Sequence, residues 1–90
     1  MQTLIIPITA SEGLHARPAH VFCATAGKFQ STVQVRNKTT GSGFVNAKSI
    51  LLILTLGVVQ GHEIEINCAG DDEMQALQTL KELIAANFLG

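Results

Sequence analysis

Gly13-Leu14-His15-Ala16-Arg17-Pro18-Ala19 is where the chain changes from one kind of order to another. Before it, Leu4, Ile6 and Ile8 alternate with Thr3, Ile5 and Pro7, the period-two pattern of a strand. After it, Ala19, Phe22, Cys23 and Ala26 recur at helical spacing, with Phe29 just beyond. Proline is tolerated in the first turn of a helix, because its missing N–H is one that no intrahelical carbonyl would accept. The stretch therefore reads as a loop entering a helix from Pro18 to about Gly27, with the glycine as its stop. Pro7 cannot donate to a ladder, so the first strand is expected to lie at a sheet edge or to expose that position.

Outward from there the period keeps switching. Thr32-Val33-Gln34-Val35-Arg36-Asn37 alternates as a half-buried strand, Lys38 to Gly43 is turn chemistry, and Phe44-Val45-Asn46 suits a short returning strand. From Ser49 to about Leu56 the chain is apolar almost throughout. Strand and short helix compete there on pattern alone, and the Ser49 start, the leucines and the Gly57 stop favour a helix. Glu63-Ile64-Glu65-Ile66-Asn67-Cys68 is the cleanest strand. Gly70-Asp71-Asp72-Glu73 opens a third helix, with Asp72 and Gln75 at capping-box spacing and a stripe of Leu77, Leu80, Ile84 and Phe88 supported by Leu83. Strand, helix, strand, strand, helix, strand, helix describes a single α+β domain over residues 1–90. Helices cover one face of an antiparallel sheet, and water meets the other.

With 90 residues, 47% of them hydrophobic and 14% charged, the chain has the composition of a small globular domain and not of a disordered one. A net charge of −1 leaves no broad basic field for nucleic acid or an anionic membrane. The longest apolar run, residues 50–54, is far short of the ~20 residues that span a bilayer, and Met1-Gln2-Thr3 lacks the positive charge of a secretory signal. A soluble, cytoplasmic protein is expected. Cys23 and Cys68 lie far apart with no CxxC, and read as reduced, buried small hydrophobes, a single disulfide being the alternative. His20 is off the spacing of a helical metal pair, His62 follows Gln60-Gly61 in a turn and reads as solvated, and no lysine follows residues 39–43 in a nucleotide-loop pattern. No metal or cofactor is expected.

The chemistry concentrates at the loop-to-helix junction. His15 falls at or near the N-cap, with the Ala16 and Arg17 N–H groups in the first turn, where orphan donors and the helix dipole favour an anion. An imidazole there can attack a phosphoryl group, which then lands among the backbone donors, within reach of the planar fork of Arg17. On spacing alone, a loop histidine that merely caps the helix, with Arg17 a solvated charge, is the simpler reading.

Gly-Leu-His-Ala-Arg-Pro-Ala resembles the active-site signature of the HPr family, the histidine phosphocarriers of the bacterial phosphotransferase system. Asn46-Ala47-Lys48-Ser49-Ile50, Leu56-Gly57 and Gln60-Gly61 also fall where that family carries related residues, so the resemblance covers essentially the whole chain. It implies an open-faced sandwich, a four-stranded antiparallel sheet with three helices on one side. It implies a carrier, not an enzyme with turnover of its own. Enzyme I would phosphorylate the residue matching His15 on Nδ1, assisted by Arg17, and a sugar-specific enzyme IIA would receive the group; the Ala16 N–H of the helix start is the backbone donor expected at the phosphate. Ser49 matches a serine that a dedicated kinase phosphorylates in some members, while its position also suits capping of the second helix. The residues from Ile50 to Leu56 exceed what one side of a short helix can bury. Ile50, Leu51 and Leu54, with His20 on the first helix, are therefore expected to dock partners. A carrier meeting two partners through one face is best served as a monomer.

The chain departs from the family in places: Ala24 and Gly27 stand where several members carry lysines, His20 where the residue is often small, and the segment of residues 38–43 is longer than in many. These leave the partner branch open. The alternative is a regulatory or binding module on the same scaffold, of the nitrogen-type branch or within a larger protein, in which docking matters and His15 is incidental.

Overall fold

The computed structural model describes residues 1–89. The element order is β1 (Gln2–Pro7), α1 (Ala16–Ala26), β2 (Thr32–Asn37), β3 (Val45–Asn46), α2 (Ile50–Leu54), β4 (Glu63–Ala69) and α3 (Glu73–Ala85). The strands form one antiparallel sheet in the order β1-β4-β2-β3, with Gln2 opposite Cys68, Pro7 opposite Glu63 and Val33 opposite Cys68 on the other side of β4. The sheet is an open-faced sandwich, as the sequence implies. β1 is an edge strand, which is where Pro7 can be accommodated without costing the ladder a donor.

One face of the sheet is dry. Val33, Val35, Ile64, Ile66 and Cys68 point into a core completed by Ala19, Phe22 and Ala26 of α1, Ile53 of α2, and Ala76, Leu80 and Ile84 of α3. Phe22 and Phe88 are the largest buried side chains, each contributing ~1.5–3 kcal/mol by area removed from water. On the open face Arg36 pairs with Glu65 at 2.6 Å and lies 5.2 Å over the Phe44 ring. Cys23 and Cys68 are free thiols, and burial pushes the Cys68 thiol up, away from the reactive thiolate.

Several boundaries differ from the sequence reading. α1 starts at Ala16, two residues before Pro18, and buries Thr25 where Cys23 was expected; Cys23 is only half-buried. Gly27 does end α1, but in a right-handed conformation (φ −66°), with its N–H on the Cys23 carbonyl. α2 ends at Leu54, and Leu56 belongs to the tighter turn that follows, its N–H on the Ile53 carbonyl. Phe88 lies beyond α3 in a turn where Asn87 and Phe88 both take positive φ (55° and 61°).

The capping box at Asp72 and Gln75 does not form. The Asp72 side chain makes no cap bond to its own helix. Its carboxylate instead accepts the N–H groups of Gln30 and Ser31, both at 2.9 Å, and a short bond from the Ser31 hydroxyl. Glu73 takes over locally, accepting the Gly70 N–H at 3.1 Å. Asp72 is thus a tie between the α1–β2 loop and the start of α3.

That tie has a pH signature. The Ser31 hydroxyl, then the Gln30 N–H, hold the Asp72 carboxyl below the usual aspartate range. A lowered folded value contributes stability that is present above the unfolded value of about 3.9 and is lost as pH falls through the folded one. Thermal melts of wild type and Asp72→Asn should therefore differ most near neutral pH and converge at the acid end. A gap that stays constant across the range would contradict the tie.

Candidate functional site

The junction into α1 is built as anchor, bulge and anchor. Leu14 is fully buried, Pro18 and Ala19 are buried, and between them His15 is half-buried while Ala16 and Arg17 are exposed. The first anchor is doubly fastened. The Leu14 N–H donates to the Val58 carbonyl at 3.0 Å, and Gly13 packs so closely on the same peptide that an added Cβ would meet the Val58 oxygen at 2.2 Å. Gly13 also takes φ +66°, so two independent demands select glycine there.

His15 is the N-cap residue, with extended backbone (φ −130°, ψ 174°), and its carbonyl accepts the Ala19 N–H at 3.3 Å. Its side chain does not cap the helix. The simpler reading of His15 as a capping residue is therefore not what the geometry contains. Ala16 takes φ +48°, a left-handed conformation that costs an alanine on the order of 1 kcal/mol and persists where the surroundings impose it. The Ala16 and Arg17 N–H groups lie in the first turn, where no carbonyl four residues back can accept them, and that turn holds no acidic side chain. The result is an anion-receptive end beside an uncommitted imidazole.

Arg17 is placed by the other end of the chain. Its Nη1 donates to the Phe88 carbonyl at 2.8 Å, in the turn after α3, leaving the remaining guanidinium donors of the fork unassigned to that bond. His20 is exposed on α1 and lies along a shallow groove toward Thr79, Glu82 and Leu83 of α3.

Ser49 is the N-cap of α2, its hydroxyl accepting the Leu52 N–H at 3.4 Å. Lys48 just before it is fixed by its ammonium on the Phe29 carbonyl at 2.7 Å. α2 buries Ile53 alone and presents Leu51 at 74%, Leu52 at 40% and Leu54 at 39% exposure. Of the four expected docking residues, His20, Leu51 and Leu54 are exposed; Ile50 is half-buried against the core, and Leu52, not singled out from sequence, takes its place on the surface. The helix turns about 100° per residue, so residues adjacent in sequence diverge sharply once its short length is fixed.

Sequence reasoning also passed over Asn37 and misplaced His62. His62 is half-buried, and its Nδ1 accepts the Asn37 side-chain amide at 3.1 Å and the Val59 N–H at 3.3 Å. The signal available was Asn37 itself: Val33, Val35 and Asn37 share the inward face of β2, and a polar side chain there must find partners.

Comparison with known proteins identifies the family and the fold. The family model described as PTS HPr component phosphorylation site matches residues 3–86. The chain is 41% identical over 75 residues to phosphocarrier protein HPr of Buchnera aphidicola, covering 83% of this chain and 85% of that protein. It is 39% identical over 86 residues to a multiphosphoryl transfer protein of Vibrio cholerae, covering 96% of this chain but 22% of the relative. The chain thus spans about a fifth of the length of that multiphosphoryl transfer protein. Among solved structures, HPr-C-His from Thermoanaerobacter tengcongensis superposes with a TM-score of 0.92 at 43% identity, over 98% of this chain and 96% of that one.

Gly13→Ala should be costly, because the methyl group meets the Val58 carbonyl and the backbone is left-handed. A loss of ~1–3 kcal/mol in urea unfolding is expected. Gly41→Ala, also at positive φ but with nothing near its Cβ, should lose less.

Proposed function

This chain belongs to the HPr family of phosphocarriers, and from that premise we propose that its own carrier site is His15, loaded by enzyme I and unloaded to an enzyme IIA. The observation that supports this most directly is the half-buried His15 at the start of α1, its ring not engaged in capping and its first-turn N–H groups awaiting an anion. In the forward step a ring nitrogen attacks phosphorus, the bond from phosphorus to the donor breaks, and the group rests on the imidazole as a phosphoramidate. The reverse attack by the acceptor's nucleophile completes the transfer, so the carrier ends unchanged and is no catalyst of net turnover. The Ala16 and Arg17 N–H groups hold the phosphoryl oxygens, and Arg17 adds charge when its fork turns from the Phe88 carbonyl.

The exposed leucines of α2, with His20 on α1, form the docking surface. Ser49 serves first as the cap of α2, and a kinase acting there would add charge at the edge of that surface. The protein works as a monomer in the cytoplasm, meeting its partners in turn through one face. Among the described residues no helix is long and apolar enough to cross a membrane.

Incubation with enzyme I and phosphoenolpyruvate, followed by intact mass, should show one acid-labile phosphoryl group on wild type and none on His15→Ala. Arg17→Ala should still be loaded, but roughly 10²-fold more slowly, the scale for losing one charged donor at a reacting oxyanion. An adduct that persists in His15→Ala would overturn the assignment. Leu51→Asp, at an exposed position, should raise the KM for enzyme I several-fold while leaving the thermal midpoint within the small range of surface substitutions; an unchanged KM would remove Leu51 from the docking surface.

A further inference from the structure

The segment between α2 and β4 has two sides. On one it clamps the loop that leads to His15. The Val58 carbonyl accepts the Leu14 N–H, the Gly61 N–H donates to the Ile8 carbonyl at 2.8 Å, and the Gln60 amide donates to the Thr9 carbonyl at 3.1 Å. On the other side the segment is held by a small buried polar unit. Asn37 has no solvent exposure, and its Nδ2 donates both to the Leu56 carbonyl at 3.1 Å and to His62 Nδ1 at 3.1 Å. Its Oδ1 accepts the Thr40 N–H at 3.2 Å, which fixes the amide's orientation. His62 Nδ1 also receives the Val59 N–H, so two donors converge on that nitrogen and the ring proton belongs on Nε2.

We infer that His62 and Asn37 are positioning residues for phosphoryl transfer at His15, acting through the peptide of Val58. Their bonds to Leu56 and Val59 bracket Val58 on both sides, and Val58 is the group on which Gly13 and Leu14 rest. Neither side chain needs to touch the phosphate. Removing the acceptor on His62 leaves one N–H of the buried Asn37 amide unpaired and releases the Val59 N–H, which lies at an exposed residue, to turn toward water, so the segment relaxes. The Leu14 anchor loosens with it, and the imidazole of the next residue loses its fixed approach to the incoming group. Displacements of about 1 Å at a reacting centre cost on the order of 10²-fold in rate.

This inference rests on the carrier function proposed for His15, and the experiment separates the two. His62→Leu deletes the acceptor, whereas His62→Asn keeps an oxygen near the place of Nδ1; both lie at a half-buried position that tolerates change better than Asn37. The expected result for His62→Leu is a 10- to 100-fold lower rate of loading by enzyme I at saturating donor, with little change in KM, and substantial recovery in His62→Asn. Amide hydrogen exchange supplies the partner-independent arm. The Leu14 N–H should exchange faster in His62→Leu relative to the Ile66 N–H in the central strand, whereas uniform destabilisation would raise both alike. Equal acceleration at the two amides, or a lower melting point with an unchanged loading rate per folded molecule, would overturn the inference. Failure of wild type to accept phosphate on His15 would strike the carrier proposal itself, while the exchange comparison would still decide whether His62 holds the Leu14 anchor.

Discussion

The contact between Gly13-Leu14 and the Val58 peptide is the constraint on which the rest depends. A histidine on a surface loop can point in many directions, and a helix N-terminus is useful to it only if the two are held in register. Burying Leu14, tying its N–H to Val58 and pressing Gly13 onto the same carbonyl fixes the chain one residue before His15. Pro18 and Ala19, both buried, fix it again three and four residues after His15 in α1. The intervening backbone has too little length to relax, and the left-handed Ala16 is where that shortage becomes visible. Strain at such a position is tolerable because the two anchors belong to the same core as Phe22 and Ile53.

The sheet contributes at second hand. β2 pairs over its full length with β4, and their inward residues make the floor on which α1 and α3 lie. Asn37, at the end of that floor, converts a row of apolar side chains into a directional hold on the segment that carries Val58. An apolar residue there would fill space without choosing an orientation for the Leu56 carbonyl or for His62. A buried, satisfied polar group is worth little net stability, but it selects one arrangement among several of similar packing.

Much of this is legible in the sequence, for physical reasons that can be named. Thr32–Asn37 alternates because one face of β2 is dry, and the strand occurs with those same limits. The Gly-Leu-His-Ala-Arg-Pro run announces a helix start because proline suits only the first turn. What was not legible depends on contacts distant in sequence. Asp72 has a capping residue's chemistry, yet its carboxylate is captured by Gln30 and Ser31, which no local pattern reveals. His62 looks like a turn residue and is instead drawn in by Asn37. Ile50 and Leu52 exchange their expected exposure because the short helix α2 turns only Ile53 fully inward.

The electrostatics of α1 bear on how such a carrier finds and leaves its partners. The helix has no acidic residue in its first turn and no basic residue in its last, and the whole chain has a net charge of −1. Long-range steering, which depends on an organised field and fades within a Debye length of ~8 Å at physiological salt, is therefore a small contributor. The exposed leucines of α2 offer attraction of another kind, short in range and little affected by salt. In the docking role proposed for them, these three side chains would support a weak complex, which suits a group that must be handed on. In the carrier role proposed for His15, the phosphoryl charge would meet no carboxylate in the first turn of α1, where the helix end already favours an anion.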